Sequence, residues 1–172
     1  TTGTTAKYDT TCCDTINVNA ETIYGAMYGL ESVLQLVSSN SLPLNILDKP
    51  RYNHRGLMVD TGRRFIPLPL MLSTLDTMSM MKMNVMHLHF ADWCRYAIQS
   101  TSYPQLNDVL VGDQAGYYTL EEVTSIIDYA NDRGIIVLPE IDLPGHGTWG
   151  LPLVETDDLK YCTSSYPYSL LD

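Results

Sequence analysis

The chain has 172 residues, of which 45% are hydrophobic and 17% charged, and its net charge is −10. This composition is typical of a globular protein and not of a disordered one. Only ten Lys and Arg residues are present, which disfavours nucleic-acid binding because that function requires clustered basic side chains. No run approaches the roughly 18 apolar residues of a membrane span, so none is predicted.

The first fifty residues predict one helix between two irregular segments. A Thr-rich loop leads into a strand near Thr15 to Val18. From Ala20 to Val37 apolar residues recur at helical spacing, and Asn19 is available as the N-cap. The segment Ser38 to Pro50 contains two prolines and several Asn and Ser residues, which predicts a connector and a domain boundary.

Strands and helices alternate after this boundary. Three short apolar runs predict strands, namely Gly56–Asp60, Val85–Phe90 and a buried run that starts at Ile135. The helices predicted between them run from Pro67 to about Met83 and from a capping box at Thr119 to about Asp132. Since a helix joins each pair of strands, we expect a parallel sheet with right-handed crossovers.

Three strands leave this sheet incomplete. A (β/α)8 barrel needs about 250 residues, and only about 120 follow the boundary at Pro50. The outer strands would each expose an unpaired edge, which native proteins pair or cover. We therefore expect another chain or segment to complete the sheet.

The stretch Leu138-Pro-Glu-Ile-Asp-Leu-Pro-Gly-His146 contains the strongest candidate site. Glu140 and Asp142 lie two residues apart and share one face of the strand, and a Pro-Gly turn leaves His146 just beyond its carboxyl end. Catalytic groups of α/β barrels and open α/β sheets lie at this end of the strands. Alternatively, the two carboxylates cap a loop and His146 is a hydrogen-bonded loop histidine.

A second group of polar residues follows the middle strand. His87-Leu-His89 places two imidazoles on one face, a spacing also found in metal sites, although hydrogen-bonded histidines in a barrel interior explain the pair better. Asp92 follows at the carboxyl end, where a carboxylate can hold an imidazole in one tautomer. Because Asp92 and His146 lie at the same rim on adjacent strands, we expect a contact between them.

Three arginines flank the first strand. Arg55 stands at its start, and its guanidinium is suited to bidentate binding of a carboxylate or of two vicinal sugar hydroxyls, with a salt bridge as the alternative. Arg63 and Arg64 lie past its carboxyl end, where they either contact a ligand or order the loop.

The chain also contains four longer sequence blocks. They are Ile23–Val37, His54-Arg-Gly-Leu-Met-Val-Asp-Thr-Gly-Arg-Arg64, Met83-Asn-Val-Met-His-Leu-His-Phe-Ala-Asp92 and Leu138–His146. Their content, order and spacing resemble those of the family-20 β-N-acetylhexosaminidases. The resemblance implies an α/β fold in which residues 1–50 end a small α+β domain. Residues 51–172 would then supply the first three βα units of a (β/α)8 TIM barrel.

The resemblance further implies a retaining exo-glycosidase that removes terminal N-acetylglucosamine or N-acetylgalactosamine and needs no metal or other cofactor. In this family the substrate's own acetamido oxygen is the nucleophile, an exception to the two-carboxylate scheme. By the same resemblance, Asp92 and His146 form a relay that orients the general acid. Arg55 would bind hydroxyls of the terminal sugar, and Asp142 would support the rim.

Two departures from the family pattern limit what the chain can do alone. Trp93 stands where many members have a second aspartate. The family's catalytic Asp-Glu pair is also missing, since no Asp-Glu dipeptide occurs in the 172 residues. Without that general acid, the chain cannot hydrolyse a glycoside by this mechanism.

The resemblance therefore indicates the N-terminal chain of an enzyme that is cut within its barrel, as in some lysosomal members. A second chain would supply the remaining strands and the Asp-Glu pair, and Cys162 would be disulfide-linked to it. The assembled enzyme would be a homo- or heterodimer and either lysosomal or secreted. Two other functions stay open, namely an inactive carbohydrate-binding or structural subunit and a metal-dependent hydrolase that uses His87, His89 and His146.

Overall fold

A computed structural model describes residues 6–8, 16–38, 45–92, 95–107 and 116–147, with residues 6–8 and 38 described by their backbone alone. The elements of the N-terminal part are β1 (Ala6–Tyr8), α1 (Ile23–Ser38) and β2 (Ile46–Asp48). The elements that follow are β3 (Gly56–Asp60), α2 (Leu68–Met80), β4 (Val85–Asp92), β5 (Arg95–Tyr96), a short 3-10 helix (Pro104–Leu106), α3 (Leu120–Asn131) and β6 (Ile136–Ile141).

The strands β3, β4 and β6 form a parallel sheet with β4 in the middle. The register places Val85 opposite both Gly56 and Ile136, so the three strands begin at the same level. The short strand β5 pairs antiparallel with the last residues of β4. The α/β class and the parallel sheet predicted from the alternating pattern are therefore confirmed.

Two helices cover the sheet because their apolar residues recur on one face. In α2 the buried residues are Met71, Leu75 and Met78, spaced by four and three positions. The helix α3 begins with the predicted capping box, in which Thr119 and Glu122 each accept a hydrogen bond from the other's backbone N–H. The core of this unit consists of Met71, Leu75, Met78, Met86, Leu88, Phe90, Ala97, Tyr118, Ile126, Ala130 and Ile135.

The N-terminal elements contact this unit near the amino ends of the parallel strands. Asp48 in β2 forms an ion pair with Lys82, which follows α2. Gly134, whose φ of +67° ends the turn after α3, lies so close to the Tyr24 ring that a Cβ there would come within 2.6 Å of Tyr24 Cδ1. A glycine is therefore required both by the left-handed backbone and by this contact.

Several local predictions for the first fifty residues are wrong. The helix α1 begins at Ile23 and not at Ala20, and Thr22 caps it instead of Asn19, since Thr22 Oγ1 accepts from the Gly25 N–H at 3.1 Å. Ile16 to Val18 form no strand, and Thr15 lies outside the described residues. The predicted connector contains β2, which forms because it pairs with β1, a long-range partner that local patterns do not reveal.

The strand β6 was expected to be buried on both faces, but its apolar side chains are largely exposed. Ile136 is 61% exposed and Leu138 49%. The physical reason is that β6 lies at an edge of the sheet, with no strand on its outer side among the described residues. The predicted apolar run is present, but nothing in this part of the structure covers it.

Candidate active site

Asp92, at the carboxyl end of β4, is the centre of a group of charged side chains. Its side chain is fully buried. Its Oδ2 atom lies 2.9 Å from His89 Nε2 and 2.8 Å from Arg63 Nη2. Its Oδ1 atom has no hydrogen-bond partner within the described ranges. The carboxylate is thus fixed through one oxygen, while the other remains available as an acceptor.

Arg63 reaches Asp92 from the loop after β3. Its backbone N–H donates to Asp60 Oδ1 at 2.9 Å, and its Nη1 donates to Asp60 Oδ2 at 2.6 Å. Burial alone would raise the pKa of Asp60, but these hydrogen bonds from Arg63 outweigh it and hold the pKa below its usual value. The side-chain hydrogen bond between Arg63 and Asp60 also raises the pKa of Arg63. The guanidinium is therefore a permanent and well-oriented cation at this rim.

Gly62 allows this loop to approach the end of β4. The N–H groups of Thr61 and Gly62 both donate to the His89 carbonyl at 3.0 Å. A Cβ on Gly62 would lie 2.6 Å from the Asp92 nitrogen, closer than real Cβ contacts allow. A residue without a side chain is consequently needed where Arg63 is brought towards Asp92.

Glu140 on β6 connects to Asp92 through His89 of β4 and also contacts His87. Glu140 is paired with His89 in the sheet register, and its Oε2 atom lies 2.9 Å from His89 Nδ1 and 2.5 Å from His87 Nε2. The hydrogen bond with His89, helped by His87, lowers the pKa of Glu140 against the opposing effect of burial. Burial would lower the pKa of His89, but the hydrogen bonds to Glu140 and Asp92 raise it. These shifts favour an ionised Glu140 beside a protonated His89.

His146 lies beyond β6, in the turn that follows Asp142. Its Nδ1 atom is 2.8 Å from Asp142 Oδ2 and 3.9 Å from Asp92 Oδ2. Its φ of +54° is in the left-handed region, which is uncommon for a residue other than glycine and is often found at functional sites. The structure thus brings Asp92, Asp142 and His146 together, but it hydrogen-bonds His146 to Asp142 and not to Asp92.

Comparison with known proteins gives the family of this chain. Residues 52–165 match the family model described as glycosyl hydrolase family 20, catalytic domain. The chain belongs to glycosyl hydrolase family 20. The resemblance drawn from the four sequence blocks is therefore confirmed.

Individual relatives agree with this family. The chain is 40% identical over 144 residues to beta-hexosaminidase 3 of Arabidopsis thaliana, covering 77% of this chain and 26% of that protein. It is also 40% identical over 140 residues to the human beta-hexosaminidase subunit beta, covering 77% and 25%. The solved structure of Flavobacterium johnsoniae chitobiase superposes with a TM-score of 0.77 at 36% identity, covering 88% of this chain and 24% of that one. The chain spans about a quarter of the length of these relatives.

In this family-20 chain, Arg55 lies at the opposite end of β3 from the candidate site. Its Nε atom donates to the Lys82 carbonyl at 2.7 Å, its Nη1 atom donates to the Tyr52 carbonyl at 2.8 Å, and its guanidinium lies over the Tyr28 ring. The five residues of β3 separate it from the rim by roughly 17 Å. The structure therefore does not bring Arg55 together with Asp92, Asp142 and His146. Arg63 stands there instead, and its position after the strand was the available sequence signal.

The metal alternative has no support from the geometry of its proposed ligands. Two groups place potential ligand atoms within 4.8 Å of one another, namely Asp60 with His89 and Asp92, and His89 with Glu140 and Asp142. His87 and His146 belong to neither group, so the three histidines are not assembled as one set in the described part of the chain. In both groups the ring nitrogens of His89 are already hydrogen-bonded to carboxylates.

Some predictions fall on residues that the structure does not describe. The residues concerned are Trp93 and all four cysteines, namely Cys12, Cys13, Cys94 and Cys162. Of the helices in the described ranges, none combines the length and the apolar character that crossing a membrane requires.

Proposed function

We propose that this chain forms part of the active site of a retaining exo-glycosidase that removes terminal N-acetylglucosamine or N-acetylgalactosamine. The observation that carries the proposal is the buried Asp92 carboxylate, held by Arg63 and His89 and close to His146 at the carboxyl end of a parallel sheet. Ligands of α/β folds bind at this end. The reaction class is supported by membership in family 20 and by relatives named beta-hexosaminidases.

In this proposal Asp92, Asp142 and His146 orient the general acid. Because His146 Nδ1 faces Asp142 and Asp92, the imidazole presents its Nε2 atom to a group approaching from outside. A glutamic acid hydrogen-bonded to that nitrogen would be held in one position for protonating the glycosidic oxygen.

We assign sugar binding at this rim to Arg63 and not to Arg55. The Arg63 side chain is 51% exposed, so its guanidinium is fixed by two carboxylates but still accessible to a ligand. Its planar group of N–H donors suits the oxygens of neighbouring sugar hydroxyls. Arg55, by contrast, is engaged with backbone carbonyls at the other end of β3.

The family resemblance supplies the proposed chemistry. The acetamido oxygen of the substrate attacks C1 while the glutamic acid protonates the departing glycosidic oxygen. Water then attacks C1 and transfers a proton to the glutamate, while the bond between C1 and the acetamido oxygen breaks, which regenerates the acetamido group and restores the original anomeric configuration. The Asp-Glu pair that this sequence of steps requires would come from residues outside these 172.

The exposed edges of the sheet support a further segment that completes the site. Within the described ranges, β3 and β6 have no strand on their outer sides, and Leu57, Met58, Ile136, Leu138 and Ile141 are exposed. Unpaired apolar edges of this kind are normally covered. We propose that a second chain of the same lysosomal or secreted enzyme completes a TIM barrel here, and that Cys162 is disulfide-linked to it. Gels run with and without reductant would test the link, because migration near 19 kDa under both conditions contradicts it.

Activity of the native assembly tests the proposed function. We expect it to release p-nitrophenol from p-nitrophenyl N-acetyl-β-glucosaminide or galactosaminide, and we expect Asp92→Asn to lower kcat/KM by about 100-fold. A matched control is Asp76→Asn, which changes an acid of α2 that accepts hydrogen bonds from Tyr129 and Arg133 and belongs to no contact of the rim. A wild-type assembly that binds N-acetylglucosamine without hydrolysing these substrates would instead indicate an inactive binding subunit. Activity that a chelator abolishes would indicate a metal-dependent hydrolase.

A further inference from the structure

A continuous row of four hydrogen-bonded side chains crosses from β4 to β6 beneath the candidate site. It consists of His87, Glu140, His89 and Asp92, with successive separations of 2.5, 2.9 and 2.9 Å. The proposed catalytic steps involve Asp92 alone among these residues. The other three lie in the sequence blocks that carry the family resemblance, but the resemblance assigned them no role.

The position of Asp92 depends on an irregularity in β4. In a regular strand, residues three apart point to opposite faces, so His89 and Asp92 would not meet. The pairing of β4 with β6 shifts register between His89 and Ala91, which introduces a bulge and turns Asp92 towards the His89 ring. Bulges are often used to re-aim a side chain next to an active site.

His89 connects two carboxylates in a site with little solvent. Its side chain is 8% exposed, and that of Asp92 is fully buried. Ionised carboxylates only accept hydrogen bonds, so it is the charged form of His89, with protons on both ring nitrogens, that can donate to Glu140 and Asp92 together. Charges then alternate along the row, from Glu140 to His89 to Asp92. Solvent screening is weakest between His89 and Asp92, because the Glu140 side chain is 36% exposed.

We infer that Glu140 is a positioning residue, which holds the His89 ring and through it fixes the Asp92 carboxylate at the sugar site. This inference rests on the proposed function. Glu140 does not contact the substrate in this account, and His87 secures it from the other side.

The pKa of His89 determines the direction in which the pH profile of activity should move when Glu140 is replaced. The pKa of His89 is raised by its hydrogen bonds to Glu140 and Asp92, so its charged form persists to higher pH and is lost as the pH rises. Removing the negative charge of Glu140 lowers that pKa. The basic limb of the activity profile should then move to lower pH.

The charged and titratable groups around His89 are Asp60 on β3, His87 and Asp92 on β4, Glu140 on β6, and Arg63, Asp142 and His146 in the rim loops.

The first experiment is Glu140→Gln in the assembled enzyme, compared with Glu122→Gln in the capping box of α3. The same chemical change is made in both, but Glu122 lies outside the row. For Glu140→Gln we expect kcat to fall by about tenfold near neutral pH, and the basic limb of kcat/KM to move down by about one pH unit. For Glu122→Gln we expect no movement of the limb. A loss of activity that is equal at every pH would indicate a purely structural Glu140 and would overturn the inference.

The second experiment does not depend on activity. The nitrogen shifts of 15N-labelled histidines report whether both nitrogens of His89 are protonated, with His89→Gln providing the assignment. We expect the wild-type ring to stay doubly protonated to a pH about one unit higher than in Glu140→Gln. Identical titration in the two proteins would refute the inference. If His89 titrates as expected but the wild-type assembly hydrolyses no hexosaminide, the proposed function fails while the link from Glu140 to Asp92 stands.

Discussion

Replacing Arg63 with glutamine tests how the rim is held together. The substitution removes the guanidinium that donates to buried Asp92 at 2.8 Å and to partly exposed Asp60 at 2.6 Å. A hydrogen bond to a charged group contributes about 1.5–3 kcal/mol, and we take the lower end because half of the Arg63 side chain is in solvent. The exposed pair with Asp60 adds about 0.2–1 kcal/mol. The expected loss in the free energy of unfolding is therefore about 2 kcal/mol.

Urea denaturation of the assembled protein measures this loss, and Arg64→Gln is the matched control. Arg64 is exposed and adjacent in sequence, so its replacement should change the free energy of unfolding by less than about 0.5 kcal/mol. Arg63→Lys should give an intermediate loss, because one ammonium cannot reproduce the two-sided contact of a guanidinium. If Arg63→Gln is no more destabilising than Arg64→Gln, the account of the rim is refuted.

The same pair of proteins has an expected pH dependence. The pKa of Asp60 is lowered in the folded protein, so the stabilisation it gains from Arg63 is complete above about pH 4 and is lost as the pH falls through the lowered pKa. The Asp60 part of the stability difference between wild type and Arg63→Gln should therefore shrink in acid. A difference that stays constant down to about pH 2 would contradict this assignment.

Three further substitutions test the packing that positions the site, each measured by urea denaturation. Gly134→Ala should cost about 1–2 kcal/mol for the left-handed backbone, plus the displacement of the Tyr24 ring. In a Tyr24→Ala background only the backbone part should remain, and an equal cost in both backgrounds would argue against the ring contact. Thr119→Ala should cost about 1 kcal/mol through loss of the α3 cap, while Thr119→Ser should cost little; equal losses would exclude capping as the cause. Tyr118→Phe should cost about 1–2 kcal/mol because its buried hydroxyl donates to a backbone carbonyl before α2, and an unchanged stability would show that this bond contributes nothing.

Features set by neighbouring residues could be predicted from the sequence. The strand Gly56–Asp60 has its predicted bounds, and the capping box at Thr119 starts α3 as its spacing indicates. Both depend on interactions within a few residues. The strands β1 and β2 exist because they pair with each other across about forty residues, and a local pattern contains no such information.

The sequence could predict the part of the candidate site that depends only on the direction of the strands. The rule that parallel strands present functional groups at their carboxyl ends correctly grouped Asp92, Asp142 and His146. Arg55 precedes its strand, so the same rule separates it from this group and favours Arg63. The bulge that turns Asp92 towards His89 has no local sequence signal, because it arises from the pairing of β4 with β6.

A crystal structure of the assembled protein with bound N-acetylglucosamine tests the central claim most directly. The account predicts the sugar at the carboxyl end of the sheet, with its oxygens within hydrogen-bond distance of Arg63 and its ring beside Asp92 and His146. A sugar bound beside Arg55, at the opposite end of β3, would contradict it.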